Sequence, residues 1–255
     1  MINELFSSIN KQTIAFSGIL IAFALTCFFL SKASKFLPKD QGREFAHDGK
    51  LSAGKPRGAG IIFILIFAVV SLLFAQLTTE IVAYIILVII AMITGYLDDA
   101  SKAPWGEYKK GFLDLLIAVA VAFTYISNNG TQVVFATTGY SPKFVDNNIV
   151  FGILTVLLVW VSINVTNCSD GVDGLSGTVS MISLATIYIM DFFLNSDEQF
   201  DYLILVFVVC ILGYLWYNAT PSKLMMGDAG SRSMGLFIAL AVLKSGSPFM
   251  YFFMA

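Results

Sequence analysis

An all-α, polytopic membrane bundle is the fold this sequence predicts, and three observations predict it. Of 255 residues, 57% are hydrophobic and only 13% are charged, where a soluble domain carries about 25% charge. Mean hydropathy is +0.81. The few charges are spaced so that long uncharged intervals separate them, each near the ~20 residues a helix needs to cross the hydrocarbon core.

The first interval, 12–31, is longer than the roughly 7–15 apolar residues of a signal peptide and reads as a retained span. Intervals 58–79 and 81–97 follow, with only Glu80 between them. The stretch 111–126 is a weaker span, because Asp114 lies near one end. Intervals 147–169, 174–190 and 202–222 are again uncharged, and 233–255 is interrupted by Lys244. Eight spans result, six of them free of charge, within a single polytopic membrane domain covering 1–255. The sequence stops inside an apolar run, Phe249 to Ala255, so a C-terminally truncated chain is expected. Between the fourth and fifth spans, 127–147 holds two β-rich runs, Val133 to Thr138 and Lys143 to Val145, around a Gly-Tyr-Ser-Pro turn. A small outer hairpin is expected there.

Orientation follows from the basic residues, which cytoplasmic loops retain. With the N-terminus outside, only Lys11, Lys143 and Lys244 of the fifteen Lys and Arg fall in outer segments, and Arg232 counts among the inner ones. Three acid-bearing segments then share the cytoplasmic face: Asp98-Asp99, the stretch from Asn164 to Asp173, and Asp228 within Met-Met-Gly-Asp-Ala-Gly-Ser. The net charge of -2 conceals this asymmetry. Three cysteines without metal spacing, Cys27, Cys168 and Cys210, and one histidine, His47, argue against zinc chemistry and a Ser-His-Asp triad. Cys168 reads as a small residue in a packed turn, and His47 as a loop residue near headgroups.

Adjacent carboxylates at a membrane boundary repel, so Asp98-Asp99 calls for a bound cation, a nearby lysine or a raised pKa. Lys102 lies one helical turn on, with Lys109 and Lys110 beyond it. Asn164, Asn167, Asp170 and Asp173 recur every three residues, which on a helical extension of the fifth span forms one polar stripe. Gly171 and Gly174 let the backbone turn sharply after the two aspartates. Asp228, with Ala229, Gly230 and Ser231, alone is an ordinary helix start. Beside the other two motifs it becomes a phosphate and Mg²⁺ site, since Mg²⁺ takes one or two protein carboxylates and leaves its other positions to water and phosphate. The first inner loop, 31–58, is polybasic and leaves through Gly54-Lys55-Pro56-Arg57-Gly58-Ala59-Gly60. Attraction of anionic headgroups is its generic role, and a phosphate-facing role is the more specific one.

These segments, in order, resemble the polyprenyl-phosphate N-acetylhexosamine-1-phosphate transferases. GKPRGAG resembles that family's Gly-Thr-Pro-Thr-Met-Gly-Gly, with Lys55 and Arg57 in place of two threonines. YLDDASK, NVTNCSDGVDGL and MMGDAGS resemble its Asp-Asp-x-x-Lys, Asn-x-x-Asn-x-x-Asp-Gly-x-Asp-Gly-Leu and Met-Gly-Asp-x-Gly-Ser motifs. Ser169 resembles the branch that serves peptidoglycan synthesis. The resemblance implies a Mg²⁺-dependent phosphoglycosyl transferase of the bacterial cytoplasmic membrane, facing the cytoplasm. Asp228 matches the Mg²⁺ ligand, and Asp98, with Asp99 beside it, the residue that deprotonates or positions the lipid phosphate. Asn167 and Asp170 match pocket residues near metal and nucleotide. Asp173 and Asn218 match the uridine pocket, with Met225 where a stacking phenylalanine is usual, and Lys102 and Lys109 match phosphate-facing lysines. Ser231 joins them as a substrate-binding hydroxyl, and Lys50 lies near a nucleotide-contacting lysine. The family has ten spans and a histidine-rich inner loop that this sequence lacks.

The partners so implied are undecaprenyl phosphate, UDP-N-acetylmuramoyl-pentapeptide or UDP-GlcNAc, and membrane lipids. No nucleic acid is expected, and a homodimer is left open. Two other readings compete. An ion-coupled transporter expects ionisable groups at the bilayer midplane, whereas these acids sit at span ends. An inactive membrane fragment would keep the motifs without closing the site.

Overall fold

The computed structural model describes residues 10–40, 42, 52–101, 103, 105–131, 147–194 and 198–245. Among them lie eight α-helices: α1 (Lys11–Ala33), α2 (Gly60–Phe74), α3 (Thr79–Asp99), α4 (Glu107–Asn129), α5 (Asn148–Ser169), α6 (Leu175–Leu194), α7 (Glu198–Asn218) and α8 (Gly227–Lys244). No strand occurs among the described residues beyond one isolated bridge between Lys39 and Pro56. The expected hairpin runs, 133–138 and 143–145, fall outside them.

Local chemistry sets the helix ends. Asn10, Thr78 and Asn147 cap α1, α3 and α5, their side-chain oxygens accepting from Gln12, Ile81 and Ile149 N–H at 3.0, 3.1 and 2.9 Å. Helix α4 stops where Gly130 takes φ +73°, a conformation open to glycine.

Six helices are long and apolar enough to cross a membrane: α1 and α3 to α7. These are not quite the six uncharged intervals. Interval 58–79 yields a helix of only 15 residues, about 22 Å at 1.5 Å per residue. It ends because Ala75 is already extended and Thr78 starts the next helix.

Helix α8 corrects the sequence reading more substantially. It begins at Gly227 rather than 233, so Arg232 lies inside a helix and not in an inner loop. A buried guanidinium is tolerable there because Asp114 of α4 meets it. Arg232 Nε donates to Asp114 Oδ1 at 3.1 Å, Nη2 donates to the same oxygen, and both side chains are 2% exposed. Residues 246–255, the rest of the predicted span, lie outside the described residues.

Every residue of α8 from Gly227 to Leu243 is buried, as expected of a helix placed at the axis of a bundle. It packs most extensively on α3 and α5, then on α2 and α6. Glycine makes that approach close: a Cβ on Gly60 of α2 would stand 2.1 Å from Gly230 N, and one on Gly95 of α3 2.3 Å from Asp228 O. Small residues at such crossings let membrane helices meet backbone to backbone. Deeper along α8, Phe237 stacks on Phe207 at 4.1 Å between ring centroids.

The bundle's outer flanks expose Phe16, Phe123, Phe192 and Phe193, an apolar coat suited to lipid. Because the helices alternate, α1, α3, α5 and α7 finish, and α2, α4, α6 and α8 begin, at one end of the bundle. At the opposite end Lys244 ties α8 to Glu80 Oε2 of α3 at 3.2 Å and to Asn129 Oδ1 of α4 at 3.0 Å, while Tyr84 OH donates to Glu80 Oε1 at 2.8 Å.

Candidate active site

The motif end is built on a backbone lock between the glycine-rich loop and the approach to α8. Met225 N donates to Pro56 O at 2.8 Å, Ala59 N to Met225 O at 3.0 Å and Gly60 N to Met226 O at 3.0 Å. Gly58, at φ +84°, turns the chain between these bonds. Two segments that are distant in sequence, Pro56 to Gly60 and Met225 to Asp228, therefore form one unit.

That unit meets the end of α3, where the two aspartates divide their work. Asp99, whose side chain is fully buried, accepts from Asp228 N and Ala229 N, both at 3.1 Å. A carboxylate on the first free N–H groups of a helix satisfies them and complements the dipole. Asp98 turns the other way: its Oδ1 accepts from Trp105 N at 2.6 Å and its Oδ2 pairs with Lys110 Nζ at 2.8 Å. The cation that the adjacent acids call for is therefore supplied by Lys110 and by Arg57.

Asp228 lies between these two cations. Lys110 Nζ is 3.1 Å from its Oδ2, and Arg57 Nη2 is 3.4 Å from its Oδ1. Arg57 also pairs through Nε with Asp99 at 2.9 Å and through Nη1 with Asp40 at 3.5 Å. Asp40 is anchored in turn, its Oδ2 accepting from Ser52 Oγ at 2.6 Å and Gly42 N at 3.2 Å. Burial alone would lower the pKa of Arg57, but the carboxylates of Asp99, Asp228, Asp40 and Asp170 outweigh it and hold the guanidinium above its ordinary value. Among the described residues four carboxylates, Asp40, Asp98, Asp99 and Asp228, thus face two cations, an excess of two negative charges.

The second motif is reached through Asn167, whose Nδ2 donates to the buried Ser231 Oγ at 2.8 Å. The polar stripe is not one continuous helix: α5 ends at Ser169, Asp170 is its C-cap, and Gly174 at φ +78° completes a turn into α6. The Asp-Gly-x-Asp-Gly punctuation breaks the helix before the stripe is complete. Asn164 is half-buried, and its Nδ2 donates to Trp160 O on its own helix at 2.8 Å. Asp170 lies within electrostatic reach of Arg57. Asp173 pairs with Lys55 at 3.5 Å, and Lys55 donates to Ser222 Oγ at 2.8 Å. Asn218 is buried between Gly174 N, from which it accepts at 2.8 Å, and Leu224 O, to which it donates at 2.9 Å. It shapes the turn from within.

Lys109 stands apart from the carboxylates, its Nζ 3.3 Å from the centroid of the Trp105 ring. Lys102, Lys50 and His47 lie outside the described residues, and Cys168 is exposed rather than packed in a turn. The residues that sequence reasoning left unassigned are Arg57, Lys110 and Asp40. Spacing does not find them: Lys110 and Asp114, and Asp228 and Arg232, are each four apart and share a helix face, yet Lys110 pairs with Asp98 and Asp228, and Arg232 with Asp114.

The donor set suits a hard divalent cation. Asp228 and Asp98 present carboxylate oxygens around the same ammonium, and the cluster carries surplus negative charge. No group of three or more His, Cys, Asp or Glu that could hold a metal occurs among the described residues. Mg²⁺ needs no such cage, since water and phosphate oxygens complete its shell.

Comparison with known proteins shows what the chain is similar to. The model of glycosyl transferase family 4 matches residues 81–246. The phospho-N-acetylmuramoyl-pentapeptide-transferase of Treponema pallidum (strain Nichols) is 40% identical, over 91% of this chain and 69% of its own length. The proteins of the same name from Clostridium botulinum (strain Alaska E43 / Type E3) and Wolbachia pipientis wMel are 30% and 27% identical, over 89% and 88% of this chain and 72% of each relative.

Proposed function

Since the chain belongs to glycosyl transferase family 4, we propose that it transfers phospho-N-acetylmuramoyl-pentapeptide from its UDP conjugate to undecaprenyl phosphate, releasing UMP and forming lipid I of peptidoglycan synthesis. The observation that carries this reading is the meeting of Asp98, Asp99 and Asp228 with Arg57 and Lys110 at one end of a membrane bundle.

An oxygen of the lipid phosphate attacks the sugar-linked phosphorus, the phosphoanhydride bond breaks, and UMP leaves with the bonding electrons. A phosphomonoester has a second pKa of about 6 and is largely dianionic at neutral pH. Asp98 is therefore needed for position rather than for proton removal, and it acts by holding Lys110. Asp99 fixes the start of α8, so that Asp228 is presented from a rigid helix end. Asn167 and Ser231 extend the polar wall beside it, Asp170 and Asp173 line the turn expected to meet the nucleotide, and Lys102 and Lys109 remain phosphate-facing candidates. Mg²⁺, bound through Asp228, would neutralise the diphosphate oxygens, the main requirement of phosphoryl transfer.

The basic inner loops support an N-terminus outside and an active end facing the cytoplasm of a bacterial inner membrane. A cytoplasmic nucleotide sugar can there meet a lipid phosphate at headgroup level. Incubating the purified protein with undecaprenyl phosphate and either UDP-N-acetylmuramoyl-pentapeptide or UDP-GlcNAc tests the reading through UMP release. Release with the first sugar nucleotide is expected; release with neither would sink the assignment, and release only with the second would move it to another surface polymer.

A further inference from the structure

Both oxygens of Asp228 have a positive charge against them, Arg57 on one side and Lys110 on the other, at 3.4 and 3.1 Å. That arrangement repels a metal ion from the carboxylate most suited to hold it. It also holds two ideal diphosphate ligands on carboxylates: a planar guanidinium that forks onto phosphate oxygens, and a compact ammonium on a flexible stem.

Three features make the pairing with Asp228 exchangeable. Each cation has a second anchor, Lys110 on Asp98 at 2.8 Å and Arg57 on Asp99 at 2.9 Å, so leaving Asp228 strands neither. The cations lie on the solvent side: the side chains of Arg57 and Lys110 are 20% and 16% exposed, against 7% for Asp228, 3% for Asp98 and none for Asp99. An approaching anion meets them first. Lys110 is also not claimed from below, because Asp114, one turn deeper on α4, is already paired with Arg232.

We propose that Arg57 and Lys110 are resident counter-cations of Asp228, which turn onto the phosphoryl oxygens of the incoming nucleotide diphosphate and thereby release the Asp228 carboxylate to a divalent cation. The inference rests on the transferase reading above. Its chemical logic is an exchange of partners: a diphosphate brings negative charge to a cluster that already has two in excess, and the cations and metal redistribute so that each anion keeps a positive neighbour.

The test is binding, not turnover. Mn²⁺ affinity of the purified, nucleotide-free protein is measured by electron paramagnetic resonance, and UDP affinity by calorimetry at saturating Mn²⁺. Lys110→Met and Arg57→Met should each bind Mn²⁺ about tenfold more tightly, since a like charge beside the ligand is gone, and UDP about tenfold more weakly. Lys110→Arg and Arg57→Lys, which keep the charge, should stay within about threefold of wild type in Mn²⁺ affinity, and Arg57→Lys, which loses the fork but not the charge, should weaken UDP binding less than Arg57→Met does. Should a methionine variant fail to fold, Lys110→Gln and Arg57→Gln carry the same expectations. Mn²⁺ affinity equal to or below wild type, or unchanged UDP affinity, overturns the counter-cation role alone. Wild-type protein that binds neither Mn²⁺ nor UDP overturns the transferase reading and this inference with it.

Discussion

The carboxylate of Asp99 caps the helix that carries Asp228, accepting the backbone N–H of Asp228 itself at 3.1 Å. One acid of the Asp98-Asp99 pair is thus structural in its contacts, while the other faces Lys110. Substitution should separate the two.

Asp99→Ala removes a buried cap and leaves Arg57 short of one partner. The cost should be about 2–4 kcal/mol, between that of a lost cap and that of a broken buried ion pair. Thermal unfolding in detergent should show a clear loss of stability for Asp99→Ala and little for Asp98→Asn. Equal losses would contradict the division of roles.

Asp228→Asn keeps the shape and removes the charge. Turnover should fall about 100-fold or more, the scale on which one preorganised electrostatic group acts, with the melting temperature close to wild type. UMP release under saturating substrate measures it, and activity within a few-fold of wild type would remove Asp228 from the centre of the chemistry.

Gly95→Ala places a methyl group 2.3 Å from Asp228 O, with backbone on the receiving side that cannot rotate away. Overpacking of this kind costs about 1–3 kcal/mol and displaces α3 from α8. Gly106→Ala, where nothing lies within 4 Å of the added carbon, should cost less than about 1 kcal/mol. Comparing folded yield and melting temperature of the two variants checks the close approach.

Asp114 and Arg232 form a buried pair, so removing either alone strands a charge in the bundle. Asp114→Leu or Arg232→Met should each destabilise by about 3–5 kcal/mol, and the double variant should recover most of it. Additive losses in a double-mutant cycle of chemical unfolding would mean the two do not interact.

Much of this was legible in the sequence because hydrophobic spans and alternating topology leave few alternatives. Once eight apolar runs alternate, Asp98, Asp170 and Asp228 have to share one end. What the sequence hid was pairwise. Arg232 looks like a loop residue because a charge usually ends a span, and only Asp114 on another helix makes its burial tolerable. Lys109 and Lys110 are adjacent and chemically identical, yet the helical rotation of about 100° between neighbours puts one on Trp105 and the other on Asp98 and Asp228. Asp99 reads as a second acid of a reactive pair until the start of α8 is seen resting on it.

Helix α8 is fastened at both extremities, by Asp99 on its first N–H groups and by Lys244 on Glu80 and Asn129 at the far side. In mechanical terms it is a stator. Sliding along its axis or tilting would break one fastening or the other, so Asp228 is carried by the part of the bundle least free to shift.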